Sequence, residues 1–260
     1  MPRFSANLGF LWPDRPLIER IDAAGRAGFK AVELHYPYDV PAAEVATACE
    51  RNGIVLLGIN TNVGSGEDRH VGLGAVPGRE TDFDALFGQA LAYAVAAGGN
   101  SIHVMAGRVP EQDRAAGVDV FAANLSRAAP KAAEHGLTLL LEALNPHDMP
   151  GYFYSRIDEA ADILARVGAP NLRLMFDVYH VGRVGDDVFA LLDRHLDHIG
   201  HVQVAAVPSR AEPDEGFIDY PAVFKKLDAI GYAGWVGCEY RPRRTTDEGL
   251  SWIKTLGVSP

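Results

Sequence analysis

One motif recurs along this chain and limits its fold more than any other feature. A helix-like stretch ends near a glycine, and a short apolar run begins a few residues later. The instances read AGFKAVEL, RNGIVLLGIN, AGGNSIHVM, EHGLTLLLE, VGAPNLRLMFD and IGYAGWVGCE. Glycine is favoured just past a helix C-terminus because it enters the left-handed region without a Cβ clash, so each instance marks a helix-to-strand turn. Apolar runs without polar alternation belong to strands buried on both faces, as in a parallel sheet. Adding FSANLGF and IGHVQV gives eight strand candidates, near residues 4–10, 31–34, 54–60, 100–104, 137–142, 172–177, 199–204 and 234–239. Helical segments separate them. Phe83, Leu86, Phe87, Ala90, Leu91 and Ala94 recur at helical spacing with Thr81 and Asp82 as candidate caps, and LIERIDAAGRAG takes Asp14 as its cap. Eight units of about 32 residues fill the 260-residue chain as one (β/α)8 TIM barrel, a single domain over residues 1–260. A doubly wound open sheet is the alternative, and it normally uses fewer units.

Composition removes several classes. Hydrophobic residues at 48% and charged residues at 22% describe a globular chain with a sizeable core. A formal charge of -10 argues against a nucleic-acid surface, which needs clustered Lys and Arg. Cys49 and Cys238 lie far apart without CxxC spacing, so neither a disulfide framework nor a zinc site is expected, and a reduced cytoplasmic setting is the simple reading. The start, MPRFSANLGF, has no basic region followed by an apolar stretch, and no run of 18 apolar residues occurs, so neither export nor membrane insertion is expected. Residues 60–81, rich in Gly and containing Pro77, form a loop longer than compact domains usually carry, which reads as a lid or binding loop.

The chemistry is expected at the ends of strands five to eight. Each of the runs LTLLLE, LRLMFD, IGHVQ and WVGCE stops on, or reaches, a polar side chain: Glu142, Asp177, Gln203 and Glu239. A barrel keeps its active site at the C-terminal ends of its strands, so four neighbouring ends converge on one point. Each residue alone also fits a polar strand end satisfied by a nearby amide. Together, three carboxylates and an amide form an all-oxygen donor set suited to one hard divalent cation, Mg²⁺ or Mn²⁺, in preference to Zn²⁺. Such an ion would also remove most of the cost of burying the carboxylates together.

The strings EALNPHDMPGYFYS, DVYH, HVQVAAVPSRAEPDEGFIDYP and GYAGWVGCEYRPR, with PGRE at 77–80, resemble the signature blocks of hydroxypyruvate isomerases within the xylose-isomerase-like barrels. The likeness runs over essentially the whole chain. It implies a single-metal aldose–ketose isomerase that interconverts hydroxypyruvate and 2-hydroxy-3-oxopropanoate through a cis-enediolate. It also implies that Glu142, Asp177, Gln203 and Glu239 are metal ligands, that Glu142 and Glu239 are the catalytic pair, and that the protein is a homo-oligomer. Relatives acting on 2-oxo-tetronate share the same blocks, and ketose 3-epimerases share the scaffold, so the substrate stays open. Which glutamate takes the first proton stays open as well.

Further candidates surround the four strand ends. His180 completes a D-x-x-H element with Asp177, in which the resemblance has the histidine facing substrate oxygens, or else it caps and packs. Arg210, in the loop after strand seven, suits a substrate carboxylate, or else pairs with Glu212 at the surface. Glu33 and His103, at the ends of strands two and four, point to substrate contacts or to structural hydrogen bonds. His70 and Arg69, in the long loop, read as groups closing over substrate or as solvated loop residues. Asp148 would hold a neighbouring side chain or sit in solvent, Phe10 and Trp12 would wall the pocket or pack, and Cys238 should face the helices. Two other reaction classes fit less well. A multi-zinc phosphodiesterase would need His-rich ligands and a basic groove, and a retaining glycosidase would need two carboxyls about 5 Å apart and no metal.

Overall fold

The computed structural model describes residues 2–64 and 71–258. Eight parallel strands close into a barrel in chain order: β1 (Arg3–Asn7), β2 (Ala31–Glu33), β3 (Val55–Asn60), β4 (Ser101–His103), β5 (Thr138–Glu142), β6 (Leu172–Asp177), β7 (Ile199–Val204) and β8 (Trp235–Cys238). Closure is through β8, where Phe4 pairs with Val236 and Ala6 with Cys238. Helices α1 (Leu17–Ala27), α2 (Ala42–Asn52), α3 (Glu80–Ala97), α4 (Arg114–Ala133), α5 (Ile157–Val167), α6 (Val178–Arg183), α7 (Val188–His195) and α8 (Tyr220–Ala229) connect the strands, and α9 (Thr246–Gly249) and α10 (Ser251–Thr255) follow the last one. Among the described residues no helix is long and apolar enough to cross a membrane.

The six turn glycines read from the repeat all take positive φ, from 62° at Gly53 to 101° at Gly28. There the αL conformation ends the helix and aims the chain at the next strand. The core lies between the barrel wall and the helices, with Phe4, Phe29, Phe87, Phe121, Phe176 and Trp252 buried in one continuous cluster. Cys238 is in that cluster, facing the helices as alternation along β8 requires.

Several local expectations are corrected. β1 stops at Asn7 and not near residue 10, because the Asn7 carbonyl accepts the N–H groups of Phe10 and Leu11 and its side-chain oxygen accepts Gly9 N–H, turning the chain out of the sheet. Asp14 caps nothing, since α1 starts at Leu17 behind Pro16, whose ring sets the entry φ at -58°. Thr81 and Asp82 lie inside the first turn of α3, which starts at Glu80. Trp12 does not wall a pocket: it is buried, and it hands its backbone N–H to Thr246 Oγ1 and its indole N–H to Asp247 Oδ1, both at 2.7 Å, tying the first loop to α9. His70 and Arg69 lie outside the described residues.

Candidate active site

The C-terminal mouth of the barrel holds a cavity of about 120 Å³ bordered by Glu142, Gln203 and Glu239, with His103, His180 and Arg210 among its other walls. Strand register puts them there. Asp177 pairs with Gln203 across β6 and β7, and Glu239 follows β8 directly, its N–H bonded to the Val204 carbonyl.

Three of these side chains leave a buried oxygen without a hydrogen-bond partner: Glu142 Oε1, Asp177 Oδ2 and Gln203 Oε1. Their other polar atoms are engaged. Asp177 Oδ1 accepts Tyr179 N–H at 2.8 Å as the N-cap of α6, Gln203 Nε2 donates to Glu33 Oε2 at 2.8 Å, and Glu142 Oε2 is 3.4 Å from His103 Nδ1. Buried orphan acceptors are rare in native proteins and call for a cause. A cation that uses the free oxygen of each residue supplies one.

Electrostatics carry the same mark. Burial, then the charges of Glu239 and Asp177, holds the Glu142 carboxyl well above its ordinary range. Burial and Glu239 push Asp177 up to about 7. Glu239 behaves oppositely. Burial would raise it, yet His35, its Nε2 3.8 Å away, and the Arg210 guanidinium bring it below the usual value, while Asn7 Nδ2 donates to its second oxygen at 3.0 Å. A divalent charge at the three free oxygens would return Glu142 and Asp177 to their ionised forms.

His180 also reaches into this cluster, with Nε2 3.7 Å from Glu142 Oε1 and 3.6 Å from Asp177 Oδ2. Proximity makes Glu142, Asp177 and His180 a group able to hold a metal ion, their donor atoms within 4.8 Å of one another. Hydrogen bonding points elsewhere for the histidine. The backbone N–H of Asn145 donates to His180 Nδ1 at 3.0 Å. Asn145 Nδ2 lies 2.7 Å from the same nitrogen, held that way round because Asn145 Oδ1 already accepts the N–H groups of His147 and Asp148. Nδ1 therefore carries no proton. Burial, then Arg210, keeps the ring pKa well below normal, so the ring is neutral with its proton on Nε2. A neutral Nε2–H is a donor and not a metal ligand.

Arg210 is fixed in the same way. It is buried, takes φ 58°, and its guanidinium lies between the rings of Phe10 and Tyr179, 4.8 Å from each centroid. It donates to Glu239 Oε1 at 2.8 Å and reaches Asp148 Oδ2 at 3.4 Å, and its Nε faces no partner. The surface pairing with Glu212 does not occur; Glu212 binds Arg243 at 2.9 Å. Asp148 holds its neighbours, accepting from Tyr179 Oη–H at 2.7 Å. His103 lines the cavity as a neutral ring, burial lowering it to about 4. Glu33 lies beneath the cavity, with both oxygens engaged by protein donors, and does not reach its lining.

The sequence reading missed Asn7 and His35, which hold Glu239, and Asn145, which sets the His180 tautomer. Asn145 sits two residues before His147 in the EALNPHD string, and only its turn conformation, invisible in the spacing, turns its N–H groups onto the histidine.

The model of the xylose isomerase-like TIM barrel family matches residues 21–256. The chain belongs to this family. It is 45% identical to a 2-oxo-tetronate isomerase of Cupriavidus necator over 98% of both chains. It is 46% identical to a Mus musculus protein provisionally named hydroxypyruvate isomerase, over 97% of this chain and 94% of the other. Relatives of this extent that carry isomerase names make this xylose isomerase-like barrel an isomerase. A solved structure from Brucella melitensis, described as an AP endonuclease of family 2, superposes with a TM-score of 0.95 at 39% identity, covering 98% of this chain and 99% of that one. The 3-keto-D-glucoside 4-epimerase of E. coli shares the fold, with a TM-score of 0.80 at 21% identity over 98% of this chain and 99% of that one.

Proposed function

We propose that this barrel is a metal-dependent aldose–ketose isomerase of short hydroxy-oxo acids, interconverting hydroxypyruvate and 2-hydroxy-3-oxopropanoate through a cis-enediolate. The observation that carries the reading is the trio of unpartnered buried oxygens on Glu142, Asp177 and Gln203. With Glu239 they make an oxygen donor set that fits one Mg²⁺ or Mn²⁺. When bound, such an ion would supply an electrophile that steadies negative charge on the two substrate oxygens.

The chain's own groups do the rest. Glu142 and Glu239 come from β5 and from the end of β8, so they border the cavity from different sides. One takes the proton from the carbon bearing oxygen and the other returns a proton to its neighbour, each contributing about 10²–10⁴-fold, while the substrate's hydroxyl proton passes from the oxygen that becomes the carbonyl to the oxygen that becomes the hydroxyl. His180 Nε2–H donates to a substrate oxygen and, being neutral, stays a donor throughout. Arg210 receives the substrate carboxylate, with the two stacked rings preventing the guanidinium from swinging away. The cavity volume of about 120 Å³ favours a short acid, since pockets for larger ligands run to roughly 300–1,000 Å³.

The second reading is 2-oxo-tetronate, one carbon longer, and the 45% identity to an isomerase named for it is the reason to keep it. A nuclease reading, raised by the Brucella description, has less support: the chain carries -10 net charge, and carboxylates at the mouth repel a phosphodiester backbone. The test is an assay of purified protein with Mg²⁺ or Mn²⁺ against hydroxypyruvate, 2-oxo-tetronate and ketohexoses. Turnover of a three- or four-carbon acid, lost on chelation, is expected. Turnover of ketohexoses alone would overturn the reading.

A further inference from the structure

A glutamine makes a demanding ligand because only one end of its amide can face a cation. The two ends are nearly the same size, so something must forbid the flipped rotamer. Below the cavity, inside the barrel, Gln203 Nε2 donates to Glu33 Oε2 at 2.8 Å, while its Oε1 points away without a partner. Glu33 is 6% exposed: Ser5 Oγ donates to its Oε1 at 2.5 Å, and His201 Nε2 stands 3.0 Å from Oε2, close enough for charge attraction but off the line of a hydrogen bond. A carboxylate surrounded by donors can only accept, so it binds the NH₂ end of the neighbouring amide and repels the carbonyl end.

The barrel wall also leaves room for this pair. Gly237 on β8 is registered opposite both Gln203 on β7 and Ser5 on β1. A Cβ at Gly237 would come within 2.3 Å of Glu33 Oε1 and 2.9 Å of Gln203 Cγ. The space a side chain would fill is taken by the Glu33 carboxylate and the stem of Gln203.

We infer that Glu33, clamped by Ser5 and His201 in the space left by Gly237, is a positioning residue that fixes the orientation of the Gln203 amide, so that the neutral ligand always presents its oxygen to the metal site. The inference rests on the proposed metal role of Gln203, and it makes a prediction for the metal-free protein as well. Glu33 touches no substrate and needs no change of protonation. A partner that orients a metal ligand typically contributes 10–100-fold in metal affinity.

The experiment compares wild type, E33Q, and the reversed pair E33Q/Q203E, with Mn²⁺ as the probe. In metal-free wild type, the Gln203 side-chain N–H signals in ¹⁵N–¹H spectra should form one exchange-protected set. In E33Q, whose introduced amide can accept from or donate to either end, they should split or lose protection. Mn²⁺ affinity by calorimetry should fall 10–100-fold in E33Q and recover in E33Q/Q203E, where the introduced amide donates to the introduced carboxylate. A purely packing role would lower the melting temperature of E33Q without this recovery. G237A, which presses on the same pair, should weaken Mn²⁺ binding in the same direction as E33Q. Unchanged Gln203 signals and wild-type Mn²⁺ affinity in folded E33Q would overturn the inference. If wild type binds no Mn²⁺, the metal reading fails by itself, and the metal-free Gln203 signals still decide whether Glu33 orients the amide.

Discussion

His180 and Asn145 meet donor to acceptor: the Asn145 backbone N–H donates to His180 Nδ1 at 3.0 Å, and a backbone N–H can do nothing but donate. The bond places the histidine's only proton on Nε2, between Glu142 and Asp177. If His180 is the donor to substrate oxygen proposed above, it can be replaced at a cost in turnover while the metal site keeps its affinity. We expect His180→Gln to lower kcat about 10²-fold or more while Mn²⁺ affinity changes less than about tenfold, the scale of one lost charge-assisted hydrogen bond. Calorimetry on the variant decides: a collapse of Mn²⁺ binding would make His180 a ligand with Glu142 and Asp177.

Glu142 and Glu239 differ in surroundings despite the matching roles proposed for them. In the metal-free site burial and the charges of Glu239 and Asp177 hold the Glu142 carboxyl well above its ordinary range, while His35 and Arg210 bring Glu239 below its own against the effect of burial. Glu142→Gln imitates the protonated state, so the metal-free variant should melt at or above the wild-type temperature. Glu239→Gln removes the charge that pairs with Arg210 and leaves an NH₂ group facing one of the two donors, Arg210 or Asn7, so it should melt lower by the equivalent of about 1–3 kcal/mol. Both variants should lose most isomerisation, about 10²–10⁴-fold. Near-wild-type turnover by either one, with metal present, would refute the two-glutamate scheme.

Arg210 offers a test of substrate charge. Arg210→Lys keeps a cation at the same positive φ but loses the fork and the stacking on Phe10 and Tyr179. KM for hydroxypyruvate should rise about 10–100-fold, the equivalent of one charge-assisted hydrogen bond. The discriminating control is a neutral analogue lacking the carboxylate, whose binding the substitution should barely alter. An equal loss for both compounds would show that Arg210 acts only by holding Glu239.

The barrel and the four strand-end oxygens were legible in sequence because they depend on patterns within single strands. An apolar run that stops on Glu142 or Asp177 shows both the strand and the end at which its chemistry sits. What the sequence hides is pairing between distant strands. Glu33 carries the same strand-end signal as Glu142, yet it lies one layer deeper, because Ser5 on β1 and His201 and Gln203 on β7 surround it from two other strands. Arg210 has Glu212 two residues away, the obvious partner by spacing, but its left-handed backbone turns the guanidinium inward to Glu239, leaving Glu212 to Arg243.

The response to pH gives a final test that needs no substrate. Asp177 titrates near 3.8 when unfolded and at about 7 in the folded metal-free chain, and Glu142 is raised from 4.5 in the same sense. Acids raised on folding stabilise the native state at low pH and lose that contribution as pH climbs through the folded value. His103 and His180 oppose this below their unfolded value of 6.5, because folding lowers their pKa values, so stability there rises with pH. Above pH 6.5 that opposing contribution has ended. His201, raised on folding by its pairing with Glu33 against the effect of burial, then adds to the decline. Chelated protein should therefore lose stability as pH rises from 6.5 through about 7, where Asp177 titrates, by at most about 1.4 kcal/mol per pH unit for each raised group. Saturating Mn²⁺ should cancel or reverse the trend, since binding needs ionised carboxylates and strengthens as they deprotonate. Thermal unfolding across that range, with chelator and with Mn²⁺, makes the comparison. A chelated protein whose melting temperature holds level or rises would mean that Glu142 and Asp177 are already ionised without a cation, removing the electrostatic case for the metal site.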